Sequence, residues 1–155
     1  GAKFTGFAGF FGTEFTKNAG FSGSADFYGS ANFIGAEFTG VANFIGAEFT
    51  GLANFSWVKF TKGTDFSGAK FTERVDFSGA IFHSEPSFTD VLGKARFSHK
   101  VAPESYSFGV DPDNPCKIEI EEQEHNGTKF IIPKGTILFD PDELSEQEDN
   151  NSNDS

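Results

Sequence analysis

Residues Ala31 to Leu52 read ANFIGAEFTGVANFIGAEFTGL, an eleven-residue unit written twice with only its last letter changed, Val41 in one copy and Leu52 in the other. Inside each unit phenylalanine recurs at alternate spacings of five and six, and the rhythm extends well beyond this stretch. From Phe33 it runs through Phe38, Phe44, Phe49, Phe55, Phe60, Phe66, Phe71, Phe77 and Phe82 to Phe88. A unit this small cannot bury its own Phe, so units must stack and share one continuous core. Composition agrees: 22 of 155 residues are Phe, Met is absent and Trp occurs once. A core built from one aromatic implies a single packing environment repeated, where an ordinary core mixes Leu, Ile, Val and Phe.

The position two before Phe is small, with Ala31, Ala36, Ala42, Ala47, Ala53, Ala69 and Ala80 as the regular cases and Val58, Thr64 and Val75 as substitutes. Small residue and Phe are two apart, so in an extended chain they share one face while the residue between them points the other way. That middle residue is polar throughout: Asn32, Glu37, Asn43, Glu48, Asn54, Lys59, Asp65, Lys70 and Asp76. After Phe comes Ser, Thr or Ile and then commonly Gly, which suits corners that need unusual dihedrals. A helix is excluded, because each recurring Gly would cost it about 1 kcal/mol. The Phe and Ala positions named above are the candidate structural core.

Units such as Ala42-Asn43-Phe44-Ile45-Gly46 and Ala69-Lys70-Phe71-Thr72-Glu73 resemble those of the pentapeptide-repeat family, whose consensus is Ala-(Asp/Asn)-(Leu/Phe)-X-X. The alternation of five and six resembles its Phe-rich branch. The likeness covers about residues 2–90, with a further unit at Ala95 to His99. It implies an all-β fold, a right-handed quadrilateral β-helix with one unit per side and the aromatic and small residues stacked inside. Two eleven-residue units would make one coil and sixteen units about four coils, a rod about 20 Å long at ~4.8 Å per coil. Phe33, Phe55 and Phe77 would then form one interior column, and Phe44, Phe66 and Phe88 the opposite one. The extra residues of the longer units, Val41, Leu52, Gly63, Arg74 and Glu85, fall on surface corners. Two consecutive six-residue spacings at Phe21, Phe27 and Phe33, with extra aromatics at Phe7, Phe11 and Tyr28, predict irregular corners near the start.

The repeat pattern fails after Asp90. The organisation expected is a solenoid over 1–99, a loop and β-hairpin appendage over 100–140, and an acidic, disordered tail over 141–155. Pro103, Gly109, Pro112 and Pro115 mark a loop, Lys117 to Glu124 alternates, Asn126-Gly127 signals a hairpin turn, and Thr128 to Ile132 returns. Gly135 to Phe139 suits a third strand. The appendage is expected to cap the coil end, which would otherwise expose strand edges and Phe faces. Formal charge is −11, of which −6 lies in residues 141–155 and only −3 in residues 1–90. The tail is too polar to bury a core of its own.

Catalytic constellations are missing, so the sequence reads as a non-enzymatic protein without cofactor or metal. His83, His99 and His125 are scattered and read as surface residues, and Cys116, the sole cysteine, has no partner for an internal disulfide. Asp111, Asp113 and Asn114 suit a turn better than a calcium loop. Columns of Thr39 with Thr61 and Thr50 with Thr72 are too short to order water over a broad face. The function expected is a rigid structural or protein-interaction scaffold, with binding residues unknown. Self-association through solenoid ends or faces into dimers or fibres is the alternative. Inhibition of DNA gyrase by DNA mimicry, which the resemblance also implies, is disfavoured by the nearly neutral repeat body. Nucleic-acid binding is disfavoured by the overall acidity, and no apolar run approaches the ~20 residues that span a bilayer. The start GAKFTG is already in register, so a longer, bacterial parent protein is expected. Localisation stays open, the cytoplasm being favoured if the source is bacterial.

Overall fold

The computed structural model describes residues 2–23 and 25–143, so most of the acidic tail lies outside the described residues. Two-residue strands separated by corners wind the chain into a four-sided β-solenoid of about four turns, each side a parallel stack. The first face stacks Lys3–Phe4, Asp26–Phe27, Glu48–Phe49, Lys70–Phe71, Arg96–Ser98 and Ile137–Phe139. The second stacks Ala8–Gly9, Ala31–Asn32, Ala53–Asn54, Val75–Asp76 and Tyr106–Ser107. Glu14–Phe15, Glu37–Phe38, Lys59–Phe60 and Ile81–Phe82 form the third, and Ala19–Gly20, Ala42–Asn43 and Thr64–Asp65 the fourth. Register follows the Phe period: Ala31 lies under Ala53 and Ala53 under Val75. Ala8 pairs with Ala31, one residue more than that step, because the six-residue spacing from Phe21 to Phe27 adds a residue to the first coil. The irregularity expected near the start is therefore a single insertion at one corner.

In-register parallel stacking places like on like, so each face sends a column of Phe rings inward. Phe33 stacks on Phe55 at 4.9 Å and Phe55 on Phe77 at 5.0 Å, with planes within 7°. Phe44, Phe66 and Phe88 form the opposite column at 4.9 and 5.2 Å. The two columns interlock edge to face, Phe44 meeting Phe33 at 5.6 Å and Phe55 at 5.4 Å. Such T-shaped contacts set ring edges against the negative ring faces and so add to area burial. Phe38, Phe60 and Phe82 line the third face, and Phe27, Phe49 and Phe71 the first, all of them buried. Ala31, Ala36, Ala42, Ala47, Ala53, Ala69 and Ala80 fill the space beside them. Thr64 occupies one of these small positions, and its buried Oγ1 finds no hydrogen-bond partner.

The corners are of two kinds, a distinction the sequence reading does not draw. Where Phe residues are five apart the corner is a tight turn, as at Phe33-Ile34-Gly35-Ala36. There the Ala36 N–H donates to the Phe33 carbonyl at 2.9 Å, and Gly35 has φ 68°. Where they are six apart the extra residue makes the bend and the glycine is not left-handed, except at the irregular corner from Phe21 to Phe27, where Gly23 has φ 69°. At Gly51 a Cβ would come within 2.5 Å of the Gly29 carbonyl oxygen in the coil beneath, so glycine there serves close approach. The expectation that every corner glycine supplies an unusual dihedral thus holds at the short corners and at Gly23, and not at the regular long corners.

Asn and Asp before Phe serve the short corners. The Oδ1 atoms of Asn32, Asn43 and Asn54 accept from the N–H two residues on at 2.9, 2.9 and 3.0 Å. Asp65 and Asp76 do the same at 2.8 Å. Asx turns of this kind satisfy a backbone donor that the corner would leave unpaired.

Beyond Phe88 the coil continues with the isolated unit Ala95 to His99 and then with non-repeat residues. Phe97 stacks on Phe71 at 4.9 Å, and Phe108 covers Phe77 at 5.9 Å. Asn114 closes the third face: its Oδ1 accepts from Phe82 N at 2.9 Å and its Nδ2 donates to the Ala80 carbonyl. Tyr106 donates to the Ser98 carbonyl at 2.6 Å, and burial raises its pKa, with Glu73 adding to the shift. Ile120–His125 and Thr128–Pro133 form the expected antiparallel hairpin, which buries Phe130 and Ile132 against this end. The third strand expected over Gly135 to Phe139 forms at Ile137–Phe139, and it does not pair with the hairpin. It leaves the hairpin and adds a rung beside Arg96–Ser98, whose open edge offers unpaired backbone groups.

Candidate functional site

Stacking accounts for the inward residues, so recognition falls to those pointing out. On the second and fourth faces the outward Asn and Asp already serve the corners. The first face presents Lys3, Asp26, Glu48, Lys70 and Arg96, and the third Glu14, Glu37, Lys59 and Ile81. Both faces mix charges of the two signs, and Lys70 pairs with Glu48 at 3.3 Å. Partial burial lowers the Arg96 pKa by desolvation. No uninterrupted acidic column, as mimicry of a phosphate backbone needs, exists among the described residues. A groove of about 600 Å3 on the first face is lined by Glu48, Lys70, Glu73, Lys100 and Asp142 among others. Its mixed charges favour neither an anion nor a cation.

One corner breaks the solenoid's own rule. The left-handed position of the short corners is glycine at Gly12, Gly35, Gly46, Gly68 and Gly79, and tryptophan at Trp57, with φ 59°. For a residue with a Cβ this conformation costs about 1 kcal/mol or more. The turn opens there as well. The Val58 N–H reaches the Phe55 carbonyl at 3.4 Å, against 2.9 to 3.1 Å at the other described short corners. Burial does not compensate, since Trp57 is 66% exposed. Its indole lies over Gly79 of the next coil, where a Cβ would fall 2.6 to 2.8 Å from Cε3, Cδ2 and Cζ3.

Phe11 and Ile34 occupy the same edge in the two coils beneath. Gly12 N bonds to the Ile34 carbonyl, Gly35 N to that of Ser56 and Trp57 N to that of Ser78, forming a ladder along the corner. Phe11 is 72% exposed and Ile34 half-buried, so three successive coils offer apolar side chains on one ridge. The sequence reading missed Trp57, although the signal was present: aligned on Phe, Trp57 stands where Gly35, Gly46, Gly68 and Gly79 do.

The structure also brings together His99 and His125, read from sequence as scattered. Their rings stack at 3.6 Å with planes within 11°, joining the hairpin tip to the last coil. Cys116 is half-buried and free. Asp111, Asp113 and Asn114 form a turn in which Asp113 N donates to Asp111 Oδ1 at 2.9 Å. Among the described residues no group of three or more His, Cys, Asp or Glu converges to hold a metal ion. No helix there is long and apolar enough to cross a membrane.

Two overlapping segments, residues 23–66 and 44–92, match the family model described as pentapeptide repeats (9 copies). No curated protein and no solved structure matches the chain.

Proposed function

Because the chain belongs to the pentapeptide-repeat family through residues 23–92, we propose that it is a non-enzymatic β-solenoid scaffold that engages a protein partner at the corner carrying Trp57. The observation behind this is a strained, exposed indole at a position where glycine would be easier. Backbone strain retained without compensating burial is characteristic of binding positions. Tryptophan is also the residue most suited to anchor in a partner's apolar pocket, with Phe11 and Ile34 extending the contact. A stack of four interlocked Phe columns keeps this ridge rigid, so little ordering entropy is lost on binding. As the chain's sole Trp, Trp57 is its own reporter. Partners retained by the wild-type protein and lost by a folded Trp57→Gly variant should be identified by mass spectrometry, purified and titrated. A blue shift of the indole emission on binding is expected. Equal retention by Trp57→Gly would move the site elsewhere on the rod.

A second reading is self-association at the first coil. Phe4, Phe10, Phe15 and Phe21 are only partly buried there, unlike the Phe rings of the later coils. Size-exclusion chromatography with light scattering decides it, and a monomer at every concentration rules it out.

A further inference from the structure

Asn126 and Gly127 form the two-residue turn of the C-terminal hairpin, with φ 49° and 82° and both residues exposed. Asparagine followed by glycine is chemically labile, because the unhindered glycine nitrogen can attack the asparagine side chain. The other described asparagines are restrained. Asn32, Asn43 and Asn54 have Oδ1 locked by corner N–H groups and are followed by Phe. Asn18 Oδ1 holds Val41 N, and Asn114 is buried and holds Phe82 N. At Asn126 the side-chain contact is instead between Nδ2 and His125 Nε2, at 3.3 Å. A Cβ at Gly127 would meet nothing within 4 Å, so the tip is open to water.

We propose that Asn126 is a self-modifying site that deamidates through a succinimide, with His125, held by its stack on His99, as proton donor to the departing ammonia. The Gly127 nitrogen forms a bond to Asn126 Cγ and gives its proton to a solvent base. The Cγ–Nδ2 bond then breaks, its electron pair leaving on Nδ2. In the neutral ring His125 Nε2 accepts from the side-chain amide; in the imidazolium the Nε2–H faces the same nitrogen as it becomes basic. Nδ2 takes that proton and leaves as ammonia, and His125 recovers a proton from solvent. Water then adds to either imide carbonyl and reopens the ring, leaving aspartate or isoaspartate at position 126. No oxidant or reductant is needed. General acid assistance requires the donor within hydrogen-bond reach of the leaving atom, which the His125 contact approaches. His99 is a positioning residue, since the ring stack fixes the plane in which Nε2 is presented. The product carboxylate would sit beside His125, so the modification changes the charge where the cap meets the last coil.

The test is ageing of the purified chain in warm buffer at neutral and mildly acidic pH, followed by peptide mapping and isoaspartate labelling. Asn126 should gain about one mass unit as an aspartate and isoaspartate mixture, while Asn32, Asn43 and Asn54 stay intact. Gly127→Ala should slow conversion roughly tenfold by hindering the attacking nitrogen. His125→Gln should slow it several-fold, and His99→Gln in the same direction by less. Two results overturn the proposal. One is an intact Asn126 in the folded chain while a peptide of residues 120–133 converts, and the other is an equal rate for wild type and His125→Gln at every pH.

Discussion

In the middle coils Phe55 lies between Phe33 and Phe77 at 4.9 and 5.0 Å, with planes nearly parallel. At the closing end Phe108 lies over Phe77 at 5.9 Å and 24°. The middle advances one coil per 22 residues, as from Ala31 to Ala53, whereas Val75 pairs with Tyr106 and Arg96 with Ile137 after much longer excursions. The repeat can continue a stack but cannot end one. Ending it takes residues outside the pattern, such as Asn114 and Tyr106, that satisfy backbone groups a further coil would have paired. Interior stability should therefore be concentrated in the middle and graded toward the ends.

Phe55→Ala should give the largest effect, a loss of about 3–5 kcal/mol in urea unfolding, because close-packed rings on all sides cannot collapse into the space. Phe108→Ala, with looser contacts, should lose about 2 kcal/mol; equal losses would break the contrast between middle and end. Gly51→Ala is expected to destabilise by about 1–3 kcal/mol, since its Cβ would press on backbone of the coil beneath and not on a yielding side chain. Thr64→Val should stabilise by about 1 kcal/mol, replacing an unpartnered buried hydroxyl by a methyl of similar size.

The closing end should also respond to alkali. Burial raises the Tyr106 pKa above its unfolded value, so its contribution is complete below about pH 10 and is lost as pH rises further. Tyr106→Phe should abolish that alkaline component and lose the hydrogen bond to the Ser98 carbonyl, both visible in thermal melts across pH.

The Phe period made the four columns and their register readable because in-register stacking is set locally, one unit over another. Trp57 was equally readable once units were aligned on Phe, but its meaning depends on φ, which follows from corner length and not from the residue itself. The role of Asn32 and Asp65 as turn acceptors was hidden behind their simpler reading as outward polar residues. The pairing of the closing strand Ile137–Phe139 and the His99–His125 stack were not readable, since both depend on how the non-repeat loop from 100 to 136 returns to the rod.

Whether Trp57 serves recognition or the fold is tested most directly by equilibrium unfolding of Trp57→Gly. Glycine at 57 should match the neighbouring short corners, close the Val58–Phe55 turn and leave stability unchanged or raised by about 1 kcal/mol. A loss of about 1 kcal/mol or more would show that the indole on Gly79 holds the coils together, and would contradict the assignment of this corner to a partner.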